Sequence, residues 1–173
     1  IVYFDNVGRR LRKVAVAEGT NSPIFDVPGT YAWGSWSLDG SILFGNMVGG
    51  EARLNTISAQ GTSHRIIQLT DSTLFSVSPI VLPDKITLVY GTWIYSDSSG
   101  ISSHLIVMAD TTSKPILTHP GGISGFTYSP TGHLLYQDGF PVSKGLWAVP
   151  FSLSMLDVTG EPFLVDLNGA RAT

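Results

Sequence analysis

Residues 36–44 read WSLDGSILF, in which a tight Asp-Gly turn separates a Trp-Ser pair from a short apolar run. Two related stretches follow, VLPDKITLVY at residues 81–90 and YSPTGHLLY at residues 128–136. Because Asp-Gly and similar pairs tolerate a positive φ, each stretch is typical of two strands joined by a turn. The copies recur at a period of about 45 residues, and such a repeat of short strands predicts the blades of a β-propeller.

The composition favours a folded all-β chain. Hydrophobic residues make up 43% of the 173 residues and charged residues only 13%, so we do not expect disorder. The 19 Gly and 10 Pro stand between apolar runs that are short and β-branched, which argues against an all-helical chain. A two-sheet sandwich is the structural alternative, but it does not explain the recurring turn.

Several classes of partner and site are not expected. The net charge of −3 gives no electrostatic footprint for nucleic acid, and no apolar run approaches the length of a membrane helix. The absence of Cys excludes disulfides and Cys-bound zinc. We therefore predict a soluble chain with no cofactor and no metal. The chain opens at Ile1 in a strand-like run, so we expect a start, signal or upstream region outside it.

The repeat divides the chain into successive blades of four antiparallel strands. The predicted divisions are a partial blade at 1–29, blades at 30–72, 73–121 and 122–167, and a closing strand at 168–173. The partial blade lacks its first strand, which leaves about three and three-quarter blades. Because an open ring exposes sheet edges, we expect a homodimer or other oligomer, or a piece of a longer chain, ahead of a closed four-bladed ring.

The turn units also resemble a known family. Residues 36–44 and 128–136 resemble the W-S-P-D-G-x-x-I-x-F unit of TolB-like, WD-repeat-like propellers. With LWAVPF at residues 146–151, the chain is similar to propellers found after bacterial Ser/Thr kinase domains. The resemblance covers nearly the whole chain, and it implies a fold and not an activity. All three stretches depart from the unit, since Leu38 stands where Pro is usual, Lys85 where Gly is usual and Thr131 where Asp is usual.

The leading functional hypothesis is a non-catalytic interaction module that binds a protein, peptide or glycan through one loop face. We predict a Gly-rich loop at residues 46–50 and a long connection at residues 93–103, both on that face. Aromatic side chains in such loops supply contact area at a low entropic cost. The predicted face residues are Tyr31, Met47, Trp93, Tyr95, His119 and Phe140.

The alternative hypothesis is a propeller-based hydrolase or lyase with a pocket at the ring axis. Asp5, Asp71 and Asp138 fall near connections between strands, and carboxylates that converge there would bind a cation or transfer protons. His119, directly before Pro120, is the best candidate for proton transfer. A third hypothesis is that the module only assembles, through its unpaired sheet edges.

Overall fold

The computed structural model describes residues 1–5, 7–37, 39–67, 69, 78–96, 100–140 and 145–167, and it describes the backbone alone at residues 31, 32, 78, 96 and 140. These residues form strands and turns, as predicted for an all-β chain. Across this described part, no helix is long and apolar enough to span a membrane. Asp71 and the predicted closing strand at 168–173 lie outside the described residues.

The strands are short and follow one another through the whole described chain. They are β1 (Val2–Asp5), β2 (Arg10–Val14), β3 (Asn21–Asp26), β4 (Thr30–Trp36), β5 (Ser41–Val48), β6 (Glu51–Ser58), β7 (His64–Ile67), β8 (Ser78–Val81), β9 (Leu88–Ser96), β10 (Gly100–Ala109), β11 (Thr112–Pro120), β12 (Gly122–Ser129), β13 (His133–Phe140), β14 (Gly145–Ser152), β15 (Asp157–Val158) and β16 (Phe163–Asp166).

The strands form four sheets in which neighbours in sequence are neighbours in space. Their orders are β1-β2-β3, β4-β5-β6-β7, β8-β9-β10-β11 and β12-β13-β14, with β15 and β16 both paired with β14. The pairing is antiparallel, which a chain of hairpins produces. Three sheets therefore have at least four strands, and the first sheet has three.

The chain divides into two compact units, Ile1–Val81 and Leu82–Thr173. The core of the first unit lies between the sheets β1-β2-β3 and β4-β5-β6-β7 and includes Phe44, which is fully buried. The core of the second unit includes consecutive strand residues such as Val89 and Tyr90, so both faces of its central strands are buried in places. Its most deeply buried hydrophobic side chains are Leu82, Val89, Tyr90, Leu105, Leu134, Tyr136 and Val149.

The three repeated stretches have the same turn. Gly40, Lys85 and Gly132 all have a positive φ, of 84°, 68° and 79°. Each donates its amide to the carbonyl three residues earlier, at 2.9–3.0 Å. The turn that the repeat predicts is therefore present in all three places. Lys85 adopts a left-handed conformation that costs a side-chain-bearing residue about 1–2 kcal/mol.

The Asp residues of the first two turns stabilise them by accepting hydrogen bonds. Asp39 accepts from the hydroxyl and the amide of Ser41, and these bonds lower the pKa of Asp39. Burial by itself would raise the pKa of Asp84, but bonds from the hydroxyl and amide of Thr87 and the amide of Ile86 outweigh it, so this pKa is lowered. Both carboxylates thus favour the turn in their charged form.

Two predicted loops prove to be largely strand. The first, at residues 46–50, is a two-residue hairpin at Gly49 and Gly50, because β5 continues to Val48. The second, at residues 93–103, is a long hairpin in which β9 reaches Ser96 and β10 starts at Gly100. The β-branched and aromatic residues on both sides pair across this hairpin, which extends the strands.

Candidate functional site

The six predicted face residues, which the sequence places on or beside loops, lie in strands. Tyr31 is in β4, Met47 in β5, Trp93 and Tyr95 in β9, His119 in β11, and Phe140 in β13. Each lies near one end of its strand. At that end the chain turns through the hairpins β5–β6 and β9–β10, or it passes from one sheet to the next. The side chains of Tyr31 and Phe140 lie outside the described part, and Met47 is half-buried.

Three side chains form a row across the third sheet, within the second unit. Ser103 of β10 pairs with Trp93 of β9 on one side and with His119 of β11 on the other. Residues paired across antiparallel strands point to the same face. Trp93, Ser103 and His119 therefore share one face of this sheet, and β12 packs against β9 and β10.

The row fixes the first residues of β12. Ser103 Oγ donates to the carbonyl oxygen of Gly121 at 2.8 Å and accepts from the amide of Ile123 at 2.8 Å. The indole Nε1 of Trp93 donates to the carbonyl oxygen of Ile123, also at 2.8 Å. The Ser103 hydroxyl and the Trp93 indole are thus positioning groups, and the Ser103 hydroxyl is not arranged as a nucleophile.

Tyr95 stands two residues beyond Trp93 and therefore on the same face of β9. It pairs with Ile101 near the tip of the β9–β10 hairpin and is 66% exposed. Trp93, which precedes Tyr95 by two residues on the same face, is held by a hydrogen bond, so Tyr95 projects from a fixed base. We call the five residues Trp93, Tyr95, Ser103, His119 and Asp138 the corner.

The floor of the corner is a histidine beside a carboxylate. His119 Nε2 lies 3.3 Å from Asp138 Oδ2, and the side chains are 15% and 5% exposed. The ring of Tyr136 meets that of His119 edge-on, with centroids 5.6 Å apart. Burial and the charge of Asp138 raise the pKa of Tyr136 to about 12, so its phenol stays neutral.

The other two carboxylates of the enzyme hypothesis do not join this pair. Asp5 accepts hydrogen bonds from the amides of Val7 and Gly8 and lies 3.8 Å from Arg12, so it serves the β1–β2 turn. Asp71 is outside the described residues. Asp138 is the one member of the three that the structure places beside a histidine.

A groove in the first unit is the second candidate surface. Its volume is about 430 Å³, and it is lined by residues 1–4 at the start of the chain, Leu11, residues 33–36 of β4, Ile42 and Phe44. Trp33 and Trp36 on its wall are 49% and 48% exposed, which is high for Trp. Because most of the side chains that line it are hydrophobic, the groove is largely apolar.

The groove follows the edge of β1 that no strand among the described residues pairs with. Ile1 and Val14 exchange both backbone hydrogen bonds, and the register continues Val2↔Lys13, Tyr3↔Arg12 and Phe4↔Leu11. Since bonded and non-bonded pairs alternate, the amides and carbonyls of Val2 and Phe4 point away from β2. These four groups face the position that a first strand occupies in the other sheets.

Sequence reasoning missed a polar network in the core of the first unit. Asn46 donates to the carbonyl oxygen of Pro28 at 2.6 Å, Asn55 donates to Asn46 Oδ1 at 2.8 Å, and His64 Nε2 lies 3.0 Å from Asn55 Oδ1. Both Asn side chains are buried. The sequence feature that could have revealed this network is an Asn within an apolar strand, because a buried polar side chain there requires a hydrogen-bond partner.

Comparisons with known proteins concern the fold. No protein-family model matches the sequence, and no curated protein matches it. Similar solved structures include nidogen in a nidogen/laminin complex (14% identity, TM-score 0.64), oligogalacturonate lyase in complex with manganese (14%, 0.55), and regucalcin from Agrobacterium tumefaciens, a calcium-binding protein (14%, 0.66). They cover 86%, 89% and 94% of this chain.

The chain spans about half the length of these structures, namely 59%, 43% and 54% of the three chains. At such low identity the similarity concerns backbone architecture alone, because side chains that carry function differ at most positions. The four antiparallel sheets and this similarity agree with the repeat read from the sequence. The chain has the β-propeller fold.

Proposed function

We propose that this chain is a non-catalytic interaction module that binds a protein, peptide or glycan partner at the corner. The observation that carries the proposal is the exposure of Tyr95 on a hairpin whose base is fixed through Trp93 and Ser103. A large aromatic side chain held ready on a rigid base loses little entropy on binding. Nidogen, a similar propeller, is solved in complex with a protein partner, laminin.

The remaining predicted face residues belong to the same proposal. Tyr31, Met47 and Phe140 stand at the corresponding ends of their own sheets. Their part in binding is proposed from that position along the strands. The TolB-like relationship is likewise a proposal. It rests on the repeated sequence units, and the tight turn of each unit is present in the structure.

Selection of a displayed random peptide library on the immobilised chain tests the proposal, and a glycan array extends the test to sugars. We expect selected ligands to lose about tenfold or more in affinity with Tyr95→Ala, since an aromatic anchor contributes at least that much. Met155→Ala is the matched control, because Met155 is 65% exposed in a turn of the same unit. Ligands that bind both variants equally, or the absence of any specific ligand, would contradict the proposal.

We propose further that a second copy of the chain supplies the strand that the first sheet lacks. The four backbone groups of Val2 and Phe4 and the apolar groove beside them are what an added strand requires. Exposed edges of this kind otherwise promote unspecific aggregation, which natural proteins avoid.

The absolute mass in solution, measured by light scattering on a sizing column, tests this assembly. We expect twice the chain mass of 18.5 kDa for the wild type and for Val2→Ala. Val2→Pro should be monomeric, because Pro removes an amide that points away from β2 and so blocks the added strand without breaking β1–β2 pairing. A wild-type monomer at high concentration would contradict pairing and favour completion by the predicted closing strand at residues 168–173 or by a longer chain.

The enzyme alternative has one observation in its favour, the His119–Asp138 pair. Hydrolysis needs a nucleophile or an activated water beside such a pair. The nearest hydroxyl in the row, that of Ser103, is already bonded to Gly121 and Ile123. The binding hypothesis therefore ranks first.

A further inference from the structure

A second strand edge opens on the groove of the first unit, and it belongs to β4. Among the described residues, β4 pairs with β5 and with no strand on its other side. Ser37 donates its amide to the carbonyl oxygen of Ser41 at 2.8 Å, which makes these two a hydrogen-bonded pair. Since bonded and non-bonded pairs alternate along the hairpin, the amides and carbonyls of Gly34 and Trp36 point away from β5.

The free edges of β1 and β4 match each other in spacing. On β1 the outward amides and carbonyls belong to Val2 and Phe4, and on β4 they belong to Gly34 and Trp36. Two strands that each present such groups two residues apart can exchange four hydrogen bonds when they lie antiparallel. Within one copy β1 and β4 belong to different sheets and do not pair. The match can therefore be used only between two copies.

The side chains of the matching residues also agree. Val2 and Phe4 pack against the core cluster that contains Ile42 and Phe44. Trp36 pairs with Ile42 in the sheet of β4, and paired residues point to the same face. A β4 strand added beside β1 would therefore direct Trp36, opposite Val2, into the groove. Gly34 would lie opposite Phe4 and, having no side chain, leave room for its ring.

The groove offers an apolar surface that such a strand would cover. Trp33 and Trp36 line it and are 49% and 48% exposed. A Trp side chain presents up to about 250 Å², so each leaves about 120 Å² uncovered. Two copies could cover up to about 480 Å² of Trp surface, nearly half of the about 1,000 Å² that a specific interface needs. No charged side chain of the described residues lines the groove, so covering it desolvates no charge there.

We propose that β4 of a second copy is the strand that completes the first sheet, by antiparallel pairing with β1 in the groove. Val2 pairs with Trp36 of the second copy, and Phe4 pairs with Gly34 of the second copy. The exchange is reciprocal about a twofold axis, because each copy offers both β1 and β4. Each β1-β2-β3 sheet then continues into a β4-β5-β6-β7 sheet of the other copy. This inference rests on the proposed assembly, for which it names the strand and the register.

Cysteine cross-linking of the whole chain tests the register, since the chain has no Cys of its own. In this register Tyr3 lies opposite Ser35 of the second copy as a non-hydrogen-bonded pair. The Cα atoms of such a pair are about 4.5 Å apart, which suits a disulfide. We expect a mixture of Tyr3→Cys and Ser35→Cys chains to form a covalent dimer on mild oxidation, visible on a non-reducing gel. A mixture of Tyr3→Cys and Val16→Cys is the matched control and should stay uncross-linked, because Val16 is 73% exposed in the turn between β2 and β3.

Truncation of Trp36 tests the part of the groove in the pairing. Trp36→Ala should raise the dissociation constant of the dimer by about tenfold or more, since a large aromatic side chain at the centre of an interface contributes at least that much. Light scattering over a dilution series measures this constant. Val16→Ala is the control and should leave it unchanged. If Trp36→Ala fails to fold, as judged by its circular dichroism spectrum, the cross-linking result still decides.

The two proposals fail in different ways. A dimeric wild type that gives no cross-link between Tyr3→Cys and Ser35→Cys chains would overturn the choice of β4 and leave the proposed assembly standing. Equal cross-linking in the control mixture, or equal dissociation constants for folded Trp36→Ala and Val16→Ala, would overturn it as well. A monomeric wild type would overturn both proposals, and the strand beside β1 would then come from residues 168–173 or from a longer chain.

Discussion

Replacement of Gly29 by Ala is expected to lower the free energy of unfolding by about 3 kcal/mol or more. Gly29 has a φ of 81°, and a Cβ there would lie 1.7 Å from the carbonyl oxygen of Met47 and 2.7 Å from its carbonyl carbon. The contact is with backbone and not with a flexible side chain, so β4 and β5 would have to move apart at Thr30↔Met47. Denaturant unfolding of Gly29→Ala and wild type measures the difference.

Gly19→Ala separates the two causes of this loss of stability, which are the positive φ and the close approach to the Met47 backbone. Gly19 also has a positive φ, of 65°, but nothing lies within 4 Å of a Cβ placed there. Its replacement should therefore cost only the left-handed conformation, about 1–2 kcal/mol. Equal losses in Gly19→Ala and Gly29→Ala would show that the approach to Met47 is not a constraint, and the expectation for Gly29 would be wrong.

Truncation of Phe44 to Ala should cost about 3–5 kcal/mol, the range for large aromatic side chains in well-packed cores. Phe44 is 0% exposed and belongs to a cluster with Leu11, Ile42 and Ile57. Its ring also contacts Phe25, with centroids 6.2 Å apart. The loss would enlarge the space beside the groove, because Phe44 lines it. Thermal and denaturant unfolding measure the change.

Val16→Ala provides the comparison for Phe44→Ala. Val16 is 73% exposed in the turn between β2 and β3, and its truncation should change stability by less than about 0.5 kcal/mol. A loss below about 1.5 kcal/mol in Phe44→Ala would contradict the central place of this ring in the first unit, since complete burial of Phe is worth more than that.

The sequence was most informative where local chemistry decides the backbone. The turns at Gly40, Lys85 and Gly132 were recognisable because Gly and Asp have strong positional preferences in tight turns. Even the departure at Lys85 follows the repeat, since the surrounding strands hold it in the same conformation at a small local cost. The succession of short strands, and with it the propeller fold, follows from these turns and the apolar runs between them.

Strand ends were harder to predict, because hairpin length depends on pairing between segments. Trp93 and Tyr95 look like loop residues when Ser and Gly follow them closely. In the structure they are strand residues, because Ser103 and Ile101 supply partners across the hairpin. No local property of residues 93–103 shows that these pairs form, so the predicted long connection there proved to be largely strand.

The sequence by itself determined the repeat, the turn geometry and the all-β class. Only the tertiary structure decided that Asp138 stands beside His119, that Ser103 holds the start of β12 by hydrogen bonds, and that the edge of β1 opens on an apolar groove. The physical reason is the separation along the chain of the residues that decide each feature. A turn is fixed by the few residues that form it, whereas a site is made by side chains from strands far apart in the chain, whose meeting depends on register and packing.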